Sequence, residues 1–138
     1  MVMLLWASMP LLAQRPAQLG IYSSSAPNPF IKRVWISQDK NTGQKYISIY
    51  APCGKGTCYW GKFIIKRDPD LYERVRWRQN HAWLPYYETF TIDQGFVKRT
   101  VDILPHVSIK DHIRIVIRSD YKDPKRTDRE DKTTLKLQ

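Results

Sequence analysis

The feature of this chain that most restricts its fold is a series of short runs in which β-branched and aromatic residues alternate with polar ones at a period of two. In the run 45–51, isoleucines fall on one face, and tyrosines with a serine fall on the other, as expected for a half-buried strand. Turn residues separate the runs, and no amphipathic helical stripe extends for long. The pattern predicts an all-β meander.

About eight runs of this kind follow one another, mostly with short connections. An up-and-down β-barrel is favoured over an open sheet, because closure leaves no strand edge exposed. The predicted strands are 20–22, 31–37, 45–51, 59–66, 88–92, 96–104, 112–119 and 133–137.

The connection 68–87 is longer than the others and begins with a helix-start motif. In Asp68-Pro69-Asp70, Asp68 suits the N-cap and Pro69 the first turn, where its missing N–H costs nothing. The motif predicts a short helix over about 69–78. A strand is the alternative, since arginines also alternate with apolar residues over 74–78.

Two cysteines, Cys53 and Cys58, enclose four residues between the predicted strands 45–51 and 59–66. They therefore sit at the two ends of a hairpin tip, where their α-carbons come within bonding range. A zinc site needs further ligands, and the three histidines show no paired spacing with the cysteines. A redox pair more typically has Cys-x-x-Cys spacing. We therefore predict a structural disulfide.

Residues 1–13 form an uncharged apolar run that is followed at once by polar residues. The run is shorter than the roughly 20 residues of a transmembrane helix and has the length of a signal-peptide core. We predict a signal peptide over 1–13, a secreted or periplasmic location, no transmembrane span, and a single β-barrel domain over 14–138. The missing cationic start leaves open a misplaced start codon or a truncated gene fragment. A buried N-terminal helix is the alternative, which Pro10 disfavours.

Net charge is the first guide to partners. The chain carries 23 Lys and Arg against 13 Asp and Glu, a formal net charge of +10, which favours anionic partners through long-range attraction. We predict an anionic polymer or a small ligand as the partner, and charge alone does not choose among nucleic acid, lipid headgroups and acidic polysaccharide. A solvated basic surface is the alternative, because the cations are spread from Lys32 to Lys136.

Within the connection 68–87, cations interleave with aromatic rings, a combination that pairs anionic groups while stacking sugars or bases. We call residues 74–87 the basic aromatic segment and predict it as the binding site. The alternative is that its rings cap one end of the barrel and its arginines solvate that end. The candidate binding residues are Arg74, Arg76, Trp77, Arg78, His81, Trp83, Tyr86 and Tyr87.

Three motifs together resemble a recurrent domain of uncharacterised exported bacterial proteins that has no known activity. They are a Cys-x4-Cys-x-Trp-Gly hairpin at 53–61, a Gly-Phe-x-x-Arg-Thr strand at 95–100 and an Asp-rich turn at 123–128, preceded by a weaker Gly-x-Tyr start at 20–22. The resemblance covers nearly all of the chain after the leader. It implies a small avidin-like or lipocalin-like barrel by architectural analogy and transfers no function. The chain departs from the pattern in its long basic aromatic connection and at Lys125, where a glycine is usual.

Two neighbouring residues after the second cysteine are predicted to support the fold. By strict alternation Trp60 falls on the face of its strand opposite Phe63. It is expected to plug the core rather than to serve as a ligand platform. The missing side chain of Gly61 leaves room for the indole or for a crossing strand.

Arg99 is predicted to support the fold as well. It shares a face with Val97 and Val101 by the period of two, and an arginine on an inward face requires a partner. Asp123 and Asp128 in the late turn are the candidates for a bidentate clasp.

Enzyme motifs are absent from the sequence. It contains no His-Glu-x-x-His, no Gly-x-Ser-x-Gly, no phosphate-binding glycine loop and no dinucleotide fingerprint. No catalytic residue, metal ligand or cofactor is predicted. The leading hypothesis is a non-enzymatic exported binding or interaction domain for an anionic or carbohydrate polymer. A structural accessory module of the cell envelope is the alternative, and a small hydrolase is a distant third.

Overall fold

The computed structural model describes residues 16–67, 88–106 and 109–138, which form one antiparallel sheet of nine strands and contain no helix. The strands are β1 (Gly20–Ser23), β2 (Arg33–Gln38), β3 (Lys45–Cys53), β4 (Gly56–Ile64), β5 (Lys66–Arg67), β6 (Glu88–Asp93), β7 (Val97–Pro105), β8 (His112–Tyr121) and β9 (Arg129–Leu137). Their order in the sheet is β4-β3-β2-β1-β9-β8-β7-β6-β5. The all-β prediction is confirmed.

A nearly closed barrel results because β4 and β5 act as one bent strand. Only Ile65 separates them. On one side Ile64 of β4 pairs with Tyr46 of β3, and on the other Lys66 of β5 pairs with Thr89 of β6. Counted this way the barrel has eight strands in an up-and-down order, in agreement with the sequence.

Inward-pointing isoleucines and valines fill the centre of the barrel and form one hydrophobic cluster. On β8, for example, Ile113, Ile115 and Ile117 are each no more than 1% exposed. The period-two alternation of the sequence places these side chains together, since every second residue of each strand points inward. The described part of the interior is therefore a packed core. Its other members include Val34, Ile36, Ile47, Ile49, Val101, Ile103 and Leu135.

A β-bulge in β4 corrects the predicted position of Trp60. Gly61 pairs with the residue before Tyr50, but Tyr50 itself pairs with Tyr59, so Trp60 is the extra residue. The bulge turns its indole to the interior, where it packs against the core on the same side as Phe63. The core position predicted for Trp60 agrees with this packing, but the face that strict alternation predicts is wrong.

The gap between β4 and β6 is spanned by rings rather than by backbone hydrogen bonds. Phe63 of β4 stacks on Phe90 of β6 with ring centroids 5.5 Å apart. The Phe63 ring also occupies the space beside Gly61, where a Cβ would lie 3.1 Å from Phe63 Cζ. Apart from its neighbours in the chain, the residue closest to Gly61 is thus a ring two residues away in the same strand and not a crossing strand.

Strand β9 begins earlier than the sequence predicts. It starts at Arg129, whereas the prediction begins at Thr133. The first residues are charged, yet they continue the ladder with β8, with Ser119 opposite Arg129 and Ile117 opposite Asp131. Charged side chains near the end of a barrel remain close to water, so hydrophobicity does not reveal the strand there.

The connections lie at two opposite ends of the barrel because neighbouring strands are antiparallel. At one end, called here the disulfide end, are the β1–β2 loop, the β3–β4 hairpin, the β6–β7 turn and the β8–β9 turn. The β2–β3 turn lies at the opposite end. The predicted signal peptide over 1–13 and the predicted helix over 69–78 fall outside the described residues. No helix long and apolar enough to cross a membrane occurs in the described ranges.

Candidate functional site

Exposed aromatic and aliphatic side chains gather on the outer surface of β1–β4. Trp35 is 48% exposed, Tyr59 56% and Ile64 47%. The strand register places Trp35 between Ile21 of β1 and Ser48 of β3. Adjoining exposed apolar side chains of this size are typical of a binding surface. We define the aromatic face as Ile21, Arg33, Trp35, Tyr46, Ser48, Tyr50, Tyr59, Lys62 and Ile64.

Two cations lie directly over rings of the aromatic face. Arg33 Cζ is 4.7 Å from the centre of the Tyr50 ring, and Lys62 Nζ is 4.7 Å from the centre of the Tyr46 ring. Tyr50 packs in turn against Tyr59, with ring centroids 5.1 Å apart. These cation–π contacts hold the charges at the surface. The face therefore presents positive charge and ring surface side by side.

The part of the chain that carries the aromatic face has almost no acidic residues. The only acid in residues 16–67 is Asp39, which lies in the β2–β3 turn and accepts hydrogen bonds from the backbone N–H groups of Asn41 and Thr42. No member of the aromatic face is acidic. Asp39, in the turn next to the face, is the acid of residues 16–67 that interacts electrostatically with Lys62. The same residues 16–67 hold the cations Lys32, Arg33, Lys40, Lys45, Lys55, Lys62, Lys66 and Arg67.

The hairpin that carries Tyr59 is closed by a disulfide. Cys53 and Cys58 are bonded, with their α-carbons 5.6 Å apart, which confirms the predicted pairing. The tip includes Gly54 at φ +57°, a left-handed conformation that favours glycine. The bond fixes the register of β3 against β4 and so holds Tyr59 beside Tyr50.

A second group of functional side chains lies inside the disulfide end, around Arg99. Its side chain points inward with that of Val97, as predicted, and Arg99 is only 7% exposed. Arg99 Nε donates to Gln94 Oε1 at 2.8 Å, and Nη1 donates to Ser119 Oγ at 2.6 Å. Both partners are neutral, so the described residues supply no carboxylate to this buried cation.

Aromatic rings and a second arginine surround Arg99. Its Cζ is 5.4 Å from the centre of the Phe30 ring and 5.1 Å from that of Trp60, and these two rings meet edge to face at 5.8 Å. Arg129 Cζ is 5.6 Å from the same Phe30 ring. Cation–π contacts therefore offset part of the cost of burying Arg99. We call Phe30, Trp60, Arg99, Ser119 and Arg129 the arginine cluster.

Asp123 and Asp128 serve the β8–β9 turn instead of Arg99. Asp123 Oδ1 accepts a hydrogen bond from the backbone N–H of Lys125 at 2.9 Å, and Asp128 Oδ1 accepts one from Tyr121 at 3.3 Å. In the part of the chain that the structure describes, the clasp predicted between Arg99 and either aspartate is not formed. Short acidic side chains in a turn have backbone donors within reach, and these satisfy them first.

An ion pair and a buried tyrosine occupy the opposite end of the barrel. Lys45 Nζ lies 2.7 Å from Glu88 Oε2, and Glu88 is 4% exposed. Tyr22 is fully buried and donates to the backbone carbonyl of Gln18 at 2.7 Å. Burial raises the pKa of Tyr22 to about 12. Tyr22 therefore stays protonated as a hydrogen-bond donor and supports the fold.

The basic aromatic segment falls outside the described residues, so its eight candidate residues stay a prediction. The aromatic face was not predicted as a site. The sequence feature that points to it is the set of tyrosines that alternate with isoleucines in the run 45–51. Alternation alone, however, does not say which side of a strand faces outward. The bulge at Trp60 further hides the fact that Tyr59 lies on the same face.

Comparison with protein-family models, with curated proteins and with solved structures finds no match for this chain. The resemblance to an exported bacterial domain stays a prediction. Within the described ranges, no three His, Cys, Asp or Glu side chains are grouped so that they could hold a metal ion. The geometry of the aromatic face and of the arginine cluster therefore carries the functional argument.

Proposed function

We propose that this protein is a binding module for an acidic polysaccharide and that the aromatic face is its binding surface. The observation that carries the proposal is the exposure of Trp35 and Tyr59 beside Arg33 and Lys62, with no acid on the same face. Aromatic rings pack against the apolar faces of sugars, and cations pair with their carboxylate or sulfate groups. The aromatic face therefore carries the rings and the cations that such a ligand requires side by side.

An extended ligand suits this surface better than an enclosed small molecule. The aromatic face crosses four neighbouring strands, which makes it about 14 Å wide at the usual strand spacing. It lies on the convex outside of a barrel, whereas small-molecule sites are concave. A chain of repeating units contacts several rings and cations at once, and this multiplicity compensates for the exposure of each contact.

The disulfide supports a glycan over a nucleic acid as the ligand. Stable disulfides such as Cys53–Cys58 belong to oxidising compartments outside the cytoplasm, and the apolar run 1–13 is in keeping with export. Acidic polysaccharides are available in those compartments. Single-stranded nucleic acid, whose bases stack on the same kinds of ring, is an alternative that the same assay distinguishes.

Ring removal on the aromatic face tests the proposal. Affinity for a polyuronate is measured for the parent protein and for W35A, Y59A and the double variant. We expect each single change to weaken binding about fivefold, because one ring contact contributes on the order of 1 kcal/mol. The double variant loses more than either single variant. Circular dichroism checks that each variant keeps the β fold.

The matched control is F96A. Phe96 is 55% exposed but lies in the β6–β7 turn, away from the aromatic face, so its removal leaves polyuronate binding unchanged. Equal losses for F96A and W35A contradict the proposal. Stronger binding of single-stranded poly(dT) than of polyuronate identifies a nucleic-acid module instead. Failure of the parent protein to bind either polymer favours the structural envelope module.

The same assay decides between the aromatic face and the basic aromatic segment. The triple variant R76A/W77A/R78A removes two cations and a ring from that segment. We expect it to weaken binding less than W35A/Y59A does. A larger loss in the triple variant assigns binding to the segment 74–87 instead.

A further inference from the structure

Strand β9 is only partly covered on one of its two sides. β8 pairs with it from Arg129 to Lys136. On the other side β1 pairs with Lys136 and Leu137 alone, since β1 ends at Ser23 and the chain continues as the β1–β2 loop. Among the described residues, no other strand pairs with this side of β9. We call the backbone of residues 129–135 on this side the open edge.

The hydrogen-bond register shows which backbone groups lie on the open edge. Leu137 donates its N–H to Asp111 on the β8 side, and Gln138 donates its N–H to Ile21 on the β1 side. Along an antiparallel strand the backbone groups alternate between the two sides. The even-numbered residues of β9 therefore point their N–H and C=O groups away from β8. On the open edge these residues are Glu130, Lys132 and Thr134.

The backbone groups of these three residues are unused. Within the described ranges, none of the three makes a backbone hydrogen bond on the open edge. Glu130, Lys132 and Thr134 are all exposed residues, and each carries one donor and one acceptor on its main chain. A row of alternating unpaired donors and acceptors is a template for a further strand.

A groove runs along the open edge, between β9 and the β1–β2 loop. One part of it has a volume of about 600 Å³ and has Lys132 and Thr134 in its lining. A second part of about 400 Å³ continues to Lys136. The two parts share Thr134 of β9 with Ser24 and Ser25 of the loop. They therefore form one elongated groove, which suits an extended chain better than a compact molecule.

The groove lining indicates which side chains an added strand carries. In an antiparallel pair, directly opposite residues share a face, so the residues opposite Lys132 and Thr134 point outward with them. Lys132 forms no ion pair in the part of the chain that the structure describes, and a carboxylate on the added strand supplies one. The alternate residues of that strand point inward, where Phe30 lines the groove and offers ring surface to an apolar side chain.

We propose that the open edge binds an extended segment of a partner polypeptide, which adds to the sheet as an antiparallel strand. The segment bonds through its backbone to Lys132 and Thr134, places an acidic side chain beside Lys132, and packs an apolar side chain on Phe30. Backbone pairing supplies affinity, and the alternating side chains supply selectivity. The open edge shares no residue with the aromatic face, and this inference does not rest on the function proposed for that face.

Amide hydrogen exchange tests the open edge in the protein alone. We expect the amides of Lys132 and Thr134 to exchange at least about tenfold faster than those of Asp131 and Thr133, whose N–H groups lie on the β8 side. Equal protection of the four amides contradicts the proposal, because the edge is then already paired within the chain or with a second copy.

A short synthetic peptide tests the pairing itself. In this probe valine alternates with threonine, and glutamate takes the central polar position. When the polar side chains point outward, the N–H groups of the polar residues face β9 and those of the valines face away. N-methylation of two threonines is therefore expected to weaken binding at least about tenfold, because two hydrogen bonds are lost. N-methylation of two inner valines is the matched control and has a much smaller effect. Equal affinities of the two methylated peptides, or no binding of the unmethylated peptide at millimolar concentration, refute the added strand.

Two variants of Lys132 separate its backbone from its side chain. K132P removes the N–H on the open edge, which the ladder with β8 does not use, so the fold is retained, and circular dichroism checks this. K132A removes only the ammonium. We expect K132P to bind the peptide at least about fivefold more weakly than K132A, whereas W35A/Y59A on the aromatic face binds it like the parent. Equal affinities of K132P and K132A contradict backbone pairing. If K132P does not fold, the two methylated peptides still decide with the parent protein.

Discussion

The two halves of the barrel carry their charges in different ways. Residues 16–67 contain eight Lys and Arg and one acid, whereas residues 88–138 contain eleven Lys and Arg and nine acids. In the second half cations form ion pairs, such as Arg118 with Asp102 at 2.6 Å. In the first half Arg33 and Lys62 rest on tyrosine rings instead. The charge of Arg118 is therefore satisfied within the fold, whereas Arg33 and Lys62 rest on tyrosine rings at the surface, where a partner can reach them. Two residues depart from this contrast: Lys45 of the first half pairs with Glu88, and Arg99 of the second half has neutral partners among the described residues.

The largest expected effect on stability is in the ion-paired half. Asp102 is 1% exposed and accepts hydrogen bonds from Arg118 and from Thr89 Oγ1. We expect D102A to lower the free energy of unfolding by about 3 kcal/mol, because it strands buried polar partners. Chemical denaturation measures this. A loss below about 1 kcal/mol, the range of exposed ion pairs, contradicts the comparison.

Removal of the disulfide has the next largest effect. The double variant C53S/C58S opens a short loop in the half that carries the aromatic face. We expect it to lose about 2 kcal/mol, since cross-linking so short a loop restricts the unfolded chain only modestly. Polyuronate binding also weakens, because the register that holds Tyr59 beside Tyr50 is less firmly fixed. Thermal unfolding with and without reductant gives the same comparison in the parent protein.

Trp35 provides the opposite case, a large side chain with little effect on stability. Because it is 48% exposed on the outer surface, we expect W35A to change the free energy of unfolding by no more than about 0.5 kcal/mol. The same variant weakens polyuronate binding. A stability loss as large as that of D102A shows instead that the ring is part of the core.

The smallest expected effect concerns Asp39, the single acid of residues 16–67. Backbone hydrogen bonds from Thr42 and Asn41 lower the pKa of its carboxyl below the ordinary value. The charged form is therefore favoured in the folded state. Its contribution to stability is present above the unfolded-state pKa and is lost as pH falls through the lower folded-state pKa. A carbon-13 NMR titration that finds the midpoint at or above about 3.9, the value of a free aspartate, contradicts this.

Much of the architecture follows from local pattern. Alternation and turn residues predict the strand number and the inward direction of Arg99, and the cysteine spacing predicts the disulfide. These features depend on neighbours in the chain. The inward turn of Trp60 depends on one extra residue in the ladder, which no periodicity shows.

The candidate sites are harder to predict than the fold because they depend on contacts between distant strands. The aromatic face needs the register of four strands before its rings become neighbours. The hydrogen-bond partners of Arg99 are neutral side chains, Gln94 in the β6–β7 turn and Ser119 in β8. Charge complementarity predicts the aspartates of the late turn as partners of Arg99, but backbone N–H groups donate to those carboxylates instead.

The seam between β1 and β9 has a consequence for biosynthesis. Tyr22 pairs with Leu137, and Gln138 hydrogen-bonds to Ser23 across 115 residues of sequence. The edge of β1 that pairs with β9 therefore stays unpaired until β9 has left the ribosome. At about 5–20 residues per second this takes several seconds. Open edges of this kind invite pairing with other chains. Nascent chains that stall before β9 are thus expected to aggregate, and a factor that holds them until release favours a soluble product.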